Sequence, residues 1–117
     1  MNAYKAIIQL TSPEPKVYKS TIRQIFNLLD YFNDNVQVKI VCHGASGPFC
    51  LKDQNPFTEE IVALLRKNVK IEICNNMLIS NNILPKDLIA GIEIIPSGIA
   101  ELVIRQQEGW SYIKAGF

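Results

Sequence analysis

Short runs rich in β-branched residues, "YKAIIQL", "VQVKIVC", "VKIEIC" and "IEIIP", recur along this chain, with stretches of helical character between them. No other feature limits the fold so tightly. Strands that alternate with helices build βαβ units, and such units produce a parallel sheet covered by helices. A fifth run, "WSYIKA", follows the last helical stretch. The expected fold is therefore α/β, with three α/β/α layers around a mostly parallel sheet of about five strands. Residues 1–117 read as a single domain without internal repeats, linkers or low-complexity segments.

The helical stretches have recognisable boundaries. Tyr18, Ile22, Ile25, Phe26, Leu29 and Phe32 fall at three- and four-residue spacings, an amphipathic helix that follows "TSPEP" and ends at "NDN". In "NPFTEEIVALLRK", Asn55 is the expected N-cap, Pro56 the first helical position, and Phe57, Ile61, Leu64 and Leu65 the inner stripe. "NNMLISNNILPKDLIAG" reads as one or two short helices, Pro85 opening the second. "SGIAELVIRQQEG" is a helix with Ile99, Leu102, Val103 and Gln106 on one side and Gly109 as its stop. Lys70, Glu72 and Cys74 alternate with Val69, Ile71 and Ile73, so one face of that strand is expected to be an edge or to meet another subunit.

Composition removes several classes of function. A hydrophobic fraction of 48% and a charged fraction of 20% are those of an ordinary globular protein. The formal net charge of +1, with no run of Lys or Arg, supplies no basic surface for a nucleic acid or an anionic membrane. The most apolar region, "LIAGIEIIPSGIAELVI", is interrupted by Glu93, Pro96 and Glu101 and makes a poor membrane span. "MNAYKAIIQL" lacks the pattern of a signal peptide, so a cytoplasmic protein is expected. Three cysteines without paired spacing agree, because a secreted disulfide framework needs even numbers.

In open parallel sheets, ligands bind beyond the carboxyl ends of the strands. Those ends here carry Thr11 and Ser12; Cys42, His43 and Gly44; Cys74, Asn75 and Asn76; and Pro96, Ser97 and Gly98. Cys74 is thus where such a fold places a functional group. A thiolate there would be stabilised by a helix N-terminus, with Asn75 and Asn76 capping the turn and His43 as proton acceptor or counter-charge. The alternative is that Cys74 is a small buried hydrophobe, as free cysteines often are. Cys42, inside an apolar run, reads as core; Cys50 is a candidate exposed resolving thiol. Cys42, His43, Cys50 and Cys74 have the chemistry of zinc ligands but not the spacing, so no metal is expected. "HGASGP" lacks the Lys-Ser/Thr of a phosphate loop, and neither a serine nucleophile elbow nor a paired-carboxylate motif is present.

In combination, the C-x-N unit of Cys74 and Asn76, the "PSG" of Pro96 to Gly98, "RQQEGWSYI" of Arg105 to Ile113, and the "HG" of His43 and Gly44 resemble the DsrE/DsrF-like family, especially its stand-alone YchN-like members. The resemblance covers essentially the whole chain and is strongest in its second half. It implies a homo-oligomer, a trimer or a hexamer built from trimers. It further implies that Cys74 accepts sulfur as a persulfide and passes it from a donor protein to an acceptor, without a cofactor. His43, Asn76, Ser97 and Gly98 would line the pocket, beside Gly44 and Asn75. The competing expectation is a non-catalytic, oligomeric module that binds a small ligand at the same edge. A third is a structural oligomer joined through the strand of Trp110 and Tyr112.

Overall fold

The computed structural model describes residues 4–116. The described chain runs β1 (Tyr4–Leu10), α1 (Pro15–Tyr31), β2 (Val36–Cys42), α2 (Gly47–Cys50), α3 (Thr58–Arg66), β3 (Lys70–Cys74), α4 (Asn75–Ser80), a 3-10 turn (Pro85–Asp87), β4 (Glu93–Ile95), α5 (Gly98–Gln107) and β5 (Ser111–Lys114). The five strands form one sheet in the order β4-β3-β2-β1-β5, and every pairing is parallel. The expected α/β architecture is the one observed. Strand order reverses at β1, which pairs with β2 on one side and β5 on the other.

The two faces are covered unequally. Apolar residues of β1, β2 and β3, among them Ile8, Ile40, Ile71 and Ile73, pack with Ile22 and Ile25 of α1 and Ile61 and Leu64 of α3 in the larger core cluster. The opposite face is covered by α5, where Leu102 packs with Ile7, Val41 and Trp110. The chain leaves α1 through Asn33 and Asp34, both at positive φ, a conformation that Asn and Asp tolerate better than most residues.

Three local expectations are corrected. α3 begins at Thr58, because Asn55 forms a turn instead of an N-cap: its Oδ1 accepts from the Phe57 N–H at 3.0 Å, while its amide donates to the carbonyls of Pro48, Phe49 and Leu51. Asn55 thereby ties α3 to α2, a short helix without enough periodicity to be seen in the sequence. On α5 only Gly98 and Leu102 are buried, and Ile99 and Val103 face outward. The covered stripe of α5 is Gly98, Glu101, Leu102 and Arg105, at three- and four-residue spacings, which turns Ile99 and Val103 away from the sheet. Lastly, β3 is interior, and its polar face lies beneath α5, with Glu72 only 5% exposed.

That burial is possible because the face carries its own counter-charge. Lys39 Nζ lies 2.5 Å from Glu101 Oε2 of α5 and 3.4 Å from Glu72 Oε2, and 5.4 Å from the Trp110 ring centroid. Arg105 Nε adds a second cation 3.1 Å from Glu101. Burial pushes the Glu72 carboxyl above the usual range, with Glu101 adding to the rise and Lys39 opposing it. Burial also pushes Glu101 up, but the hydrogen bond and charge of Lys39, with Arg105, outweigh it and hold Glu101 low. The cluster fixes α5 to the sheet.

Candidate functional site

The carboxyl end of β2 meets the start of α5, and β1 and β3 end on either side of it. After β2 the chain turns sharply: the His43 N–H donates to the Leu10 carbonyl at 3.1 Å, and the Ala45 N–H to the Thr11 carbonyl at 2.9 Å. Gly44 has φ +66, and a Cβ there would meet the Thr11 Cβ at 3.3 Å, so both conformation and space call for glycine. Buried Ser46 closes the turn by donating its hydroxyl to the His43 carbonyl at 2.9 Å.

The His43 ring is half-buried. Its Nε2 lies 2.9 Å from the Gln9 side-chain Nε2, and the Tyr112 hydroxyl donates to the Gln9 Oε1. Burial lowers the His43 pKa. On its other side stands Gly98, where a Cβ would lie 3.3 Å from the His43 Cβ and 3.2 Å from Val41 Cγ1. Glycine therefore lets the α5 N-terminus close on the ring. Ser97 is the N-cap of that helix, its Oγ accepting from the Ala100 N–H at 3.1 Å.

Cys74 ends β3, pairs in register with Ile95 and is the N-cap residue of α4. Cys42 pairs with Ile73, the last matched pair of β2 and β3, so His43 and Cys74 each follow that pair by one residue on adjacent strands. Both therefore leave the sheet at the same edge, where neighbouring strands lie about 4.8 Å apart. Cys74 is 7% exposed and belongs to the larger core cluster with Met77 and Leu78. Because Cys74 itself holds the cap position, Asn75 and Asn76 do not cap the turn. They are the first residues of α4, exposed to solvent.

The structure thus gathers His43, Gly44, Cys74, Ser97 and Gly98 at one edge, with Asn75 and Asn76 on its rim. Cys50 is a correction: it is fully buried, and its thiol is hydrogen-bonded to Cys42 instead of exposed as a resolving group. That hydrogen bond, with burial, pushes the Cys50 pKa well up, away from the thiolate. Among the described residues, no three of His, Cys, Asp and Glu are grouped so as to hold a metal ion. Gln9 and Tyr112 are additions that the sequence reading missed. The available signal was Gln9 itself, a lone amide within the apolar run "AIIQL". A separate cleft of about 350 Å³ opens where strand order reverses, lined by Thr11, Ser12, Glu14, Lys16, Val17 and Ala115.

With this geometry in place, comparison with known proteins is informative. The sequence model of the DsrE/DsrF-like family matches residues 4–115. A protein of unknown function from Methanobacterium thermoautotrophicum has the same fold, with a TM-score of 0.90, 22% identity, and 95% of this chain and 98% of that one covered. The YchN protein from E. coli aligns with a TM-score of 0.78 and 16% identity, over 97% of this chain and 99% of its own. A conserved protein of unknown function from Bacteroides thetaiotaomicron gives 0.74 and 20%, over 94% and 93%. No curated protein matches the sequence significantly.

Proposed function

The chain belongs to the DsrE/DsrF-like family, and on that premise we propose that it is a sulfur-relay protein that carries sulfur as a persulfide on Cys74. The observation that supports this reading most is the placement of Cys74. It ends an interior strand, holds the N-cap position of a helix, and lies one residue past the last β2–β3 pair, at the edge where parallel sheets hold ligands. The chemistry is thiol exchange at sulfur. The Cys74 thiolate attacks the outer sulfur of a donor persulfide, the donor S–S bond breaks, and the donor leaves as its thiolate. The persulfide formed on Cys74 then yields its outer sulfur to an acceptor thiolate by the same step, which regenerates the Cys74 thiolate. There is no net redox change, and no cofactor takes part.

We also propose that the chain self-associates, as a trimer or hexamer, and acts in the cytoplasm with separate donor and acceptor proteins. Ile99, Val103 and Ile104 support association: they leave an apolar strip on the outer side of α5, each at least 46% exposed. Among the described residues no helix is long and apolar enough to cross a membrane.

The deciding experiment is intact-mass analysis after incubation with a sulfane-sulfur donor, on the wild type and on Cys74→Ser. Gain of one sulfur, absent from the variant, is the expected result; no gain by reduced, folded wild type refutes the carrier. A second reading then takes its place, favoured by the slight exposure of Cys74 and by the cleft at Thr11 and Lys16. In it, the chain is a small-ligand-binding module and Cys74, which does not line that cleft, is only a packing residue.

A further inference from the structure

One neighbour of the His43 ring, itself held by a second side chain, restricts what the ring can do. The Gln9 side-chain nitrogen, 2.9 Å from the ring Nε2, carries two hydrogens and no lone pair, so the ring nitrogen must accept. The other end of the amide accepts the Tyr112 hydroxyl, which braces that orientation from β5. A neutral imidazole that accepts at Nε2 holds its one proton on Nδ1. Protonating Nε2 would set donor against donor.

We propose that Gln9, braced by Tyr112, is a positioning residue that holds His43 as the neutral Nδ1–H tautomer, so that at this edge of the sheet the ring is a hydrogen-bond donor and not a proton acceptor. This deepens the sulfur-carrier reading of the same edge and rests on it. The assignment also fits the surroundings of the ring. Gln9 of β1 and Tyr112 of β5 lie on one side, with Lys114 in register beside Gln9. Gly98 and the Ser97 cap of α5 lie on the other, and Cys74 ends the adjacent strand β3, one residue past the Cys42–Ile73 pair. None of these groups is a carboxylate, and Glu101 further along α5 is engaged by Lys39 and Arg105. A helix N-terminus beside the ring disfavours a positive imidazolium. Burial lowers the His43 pKa in the same direction. With Nε2 occupied, the ring has no lone pair to take a thiol proton, but its Nδ1–H remains to stabilise a thiolate or persulfide anion.

The chain has one histidine, so its ring nitrogens can be assigned without ambiguity. The experiment is nitrogen-detected NMR of the uniformly labelled protein across the titration of His43, for wild type, Gln9→Glu and Tyr112→Phe. Wild type is expected to show a pyridine-like Nε2 and a pyrrole-like Nδ1 at neutral pH. Gln9→Glu places a carboxylate against Nε2, which should move the proton there and raise the protonation constant about tenfold or more. Tyr112→Phe, on an edge strand, should give a mixture of tautomers; it carries the test if Gln9→Glu does not fold. A pyrrole-like Nε2 in wild type would mean the amide is reversed and overturns the proposal. So does a tautomer that neither substitution alters. The readout needs no sulfur, so a ring as described in a chain that takes up no sulfane sulfur overturns the carrier reading alone.

Discussion

Replacing Lys39 by Met tests how α5, and with it the Gly98 wall of the site, is held. Lys39 Nζ is the cation shared by Glu101 at 2.5 Å and Glu72 at 3.4 Å, and the three side chains are 9%, 13% and 7% exposed. Methionine keeps the unbranched stem, so the change in packing should cost less than about 1.5 kcal/mol. The larger cost is electrostatic. Removing one partner of a buried ion pair leaves uncompensated charge and costs about 3–5 kcal/mol. With a urea m-value of about 2 kcal/mol/M, the unfolding midpoint at neutral pH should fall by about 1.5–2.5 M.

The pH dependence carries the sharper test. In wild type Glu101 is held below its ordinary pKa, so its contribution is present above the unfolded value, about 4.3, and is lost as pH falls through the folded one. In Lys39→Met Glu72 loses its cation, and its folded pKa, already raised by burial, rises further; Glu101 keeps Arg105 alone and is held low less firmly. A group with a raised folded pKa destabilises at high pH, and the penalty fades as pH falls toward the unfolded value. The gap between the proteins should therefore narrow on acidification and be smaller at pH 5 than at pH 7. Urea titrations at both pH values and one protein concentration measure it. A gap below about 1 kcal/mol at neutral pH, as for an exposed pair, or one independent of pH, refutes the reasoning.

Other consequences are as direct. In native protein any thiol that reacts with an aromatic disulfide reagent should be Cys74, because Cys42 and Cys50 are fully buried; a signal that survives Cys74→Ser contradicts this. Gly98→Ala adds a Cβ 3.3 Å from the His43 Cβ, which should cost about 1–3 kcal/mol and push the ring outward. The lowered His43 pKa should then return toward its ordinary value; an unchanged NMR titration refutes the contact. Val103→Glu puts a charge on the exposed apolar strip of α5 and should shift a self-associated protein to smaller species by sedimentation, with little loss of stability. Asn55→Ala removes one acceptor and the amide that serves three carbonyls between α2 and α3, and should lower stability by about 1–3 kcal/mol in thermal or urea unfolding.

Local pattern in the sequence determined the strands, the main helices and the gathering of Cys74, His43 and Gly98 at one edge, because periodicity and strand direction follow from residues close in the chain. Glycine, proline and asparagine marked most of the boundaries for the same reason. Which face of each element is covered is a different matter, decided by neighbours far away in sequence. The apolar spacing of α5 suits Ile99, Leu102 and Val103 alike, yet only Leu102 meets the sheet. Lys39 and Glu72 look like solvent-facing charges until α5 folds over them with Glu101, and Cys50 looks free until Cys42 and the core enclose it. Gln9, His43 and Tyr112 are 34 and 103 residues apart at their two hydrogen bonds, and become one chain only because β1 lies between β2 and β5. A polar side chain in a strand shows that it needs a partner, since burying it alone is costly, but the partner is chosen by the order of the strands.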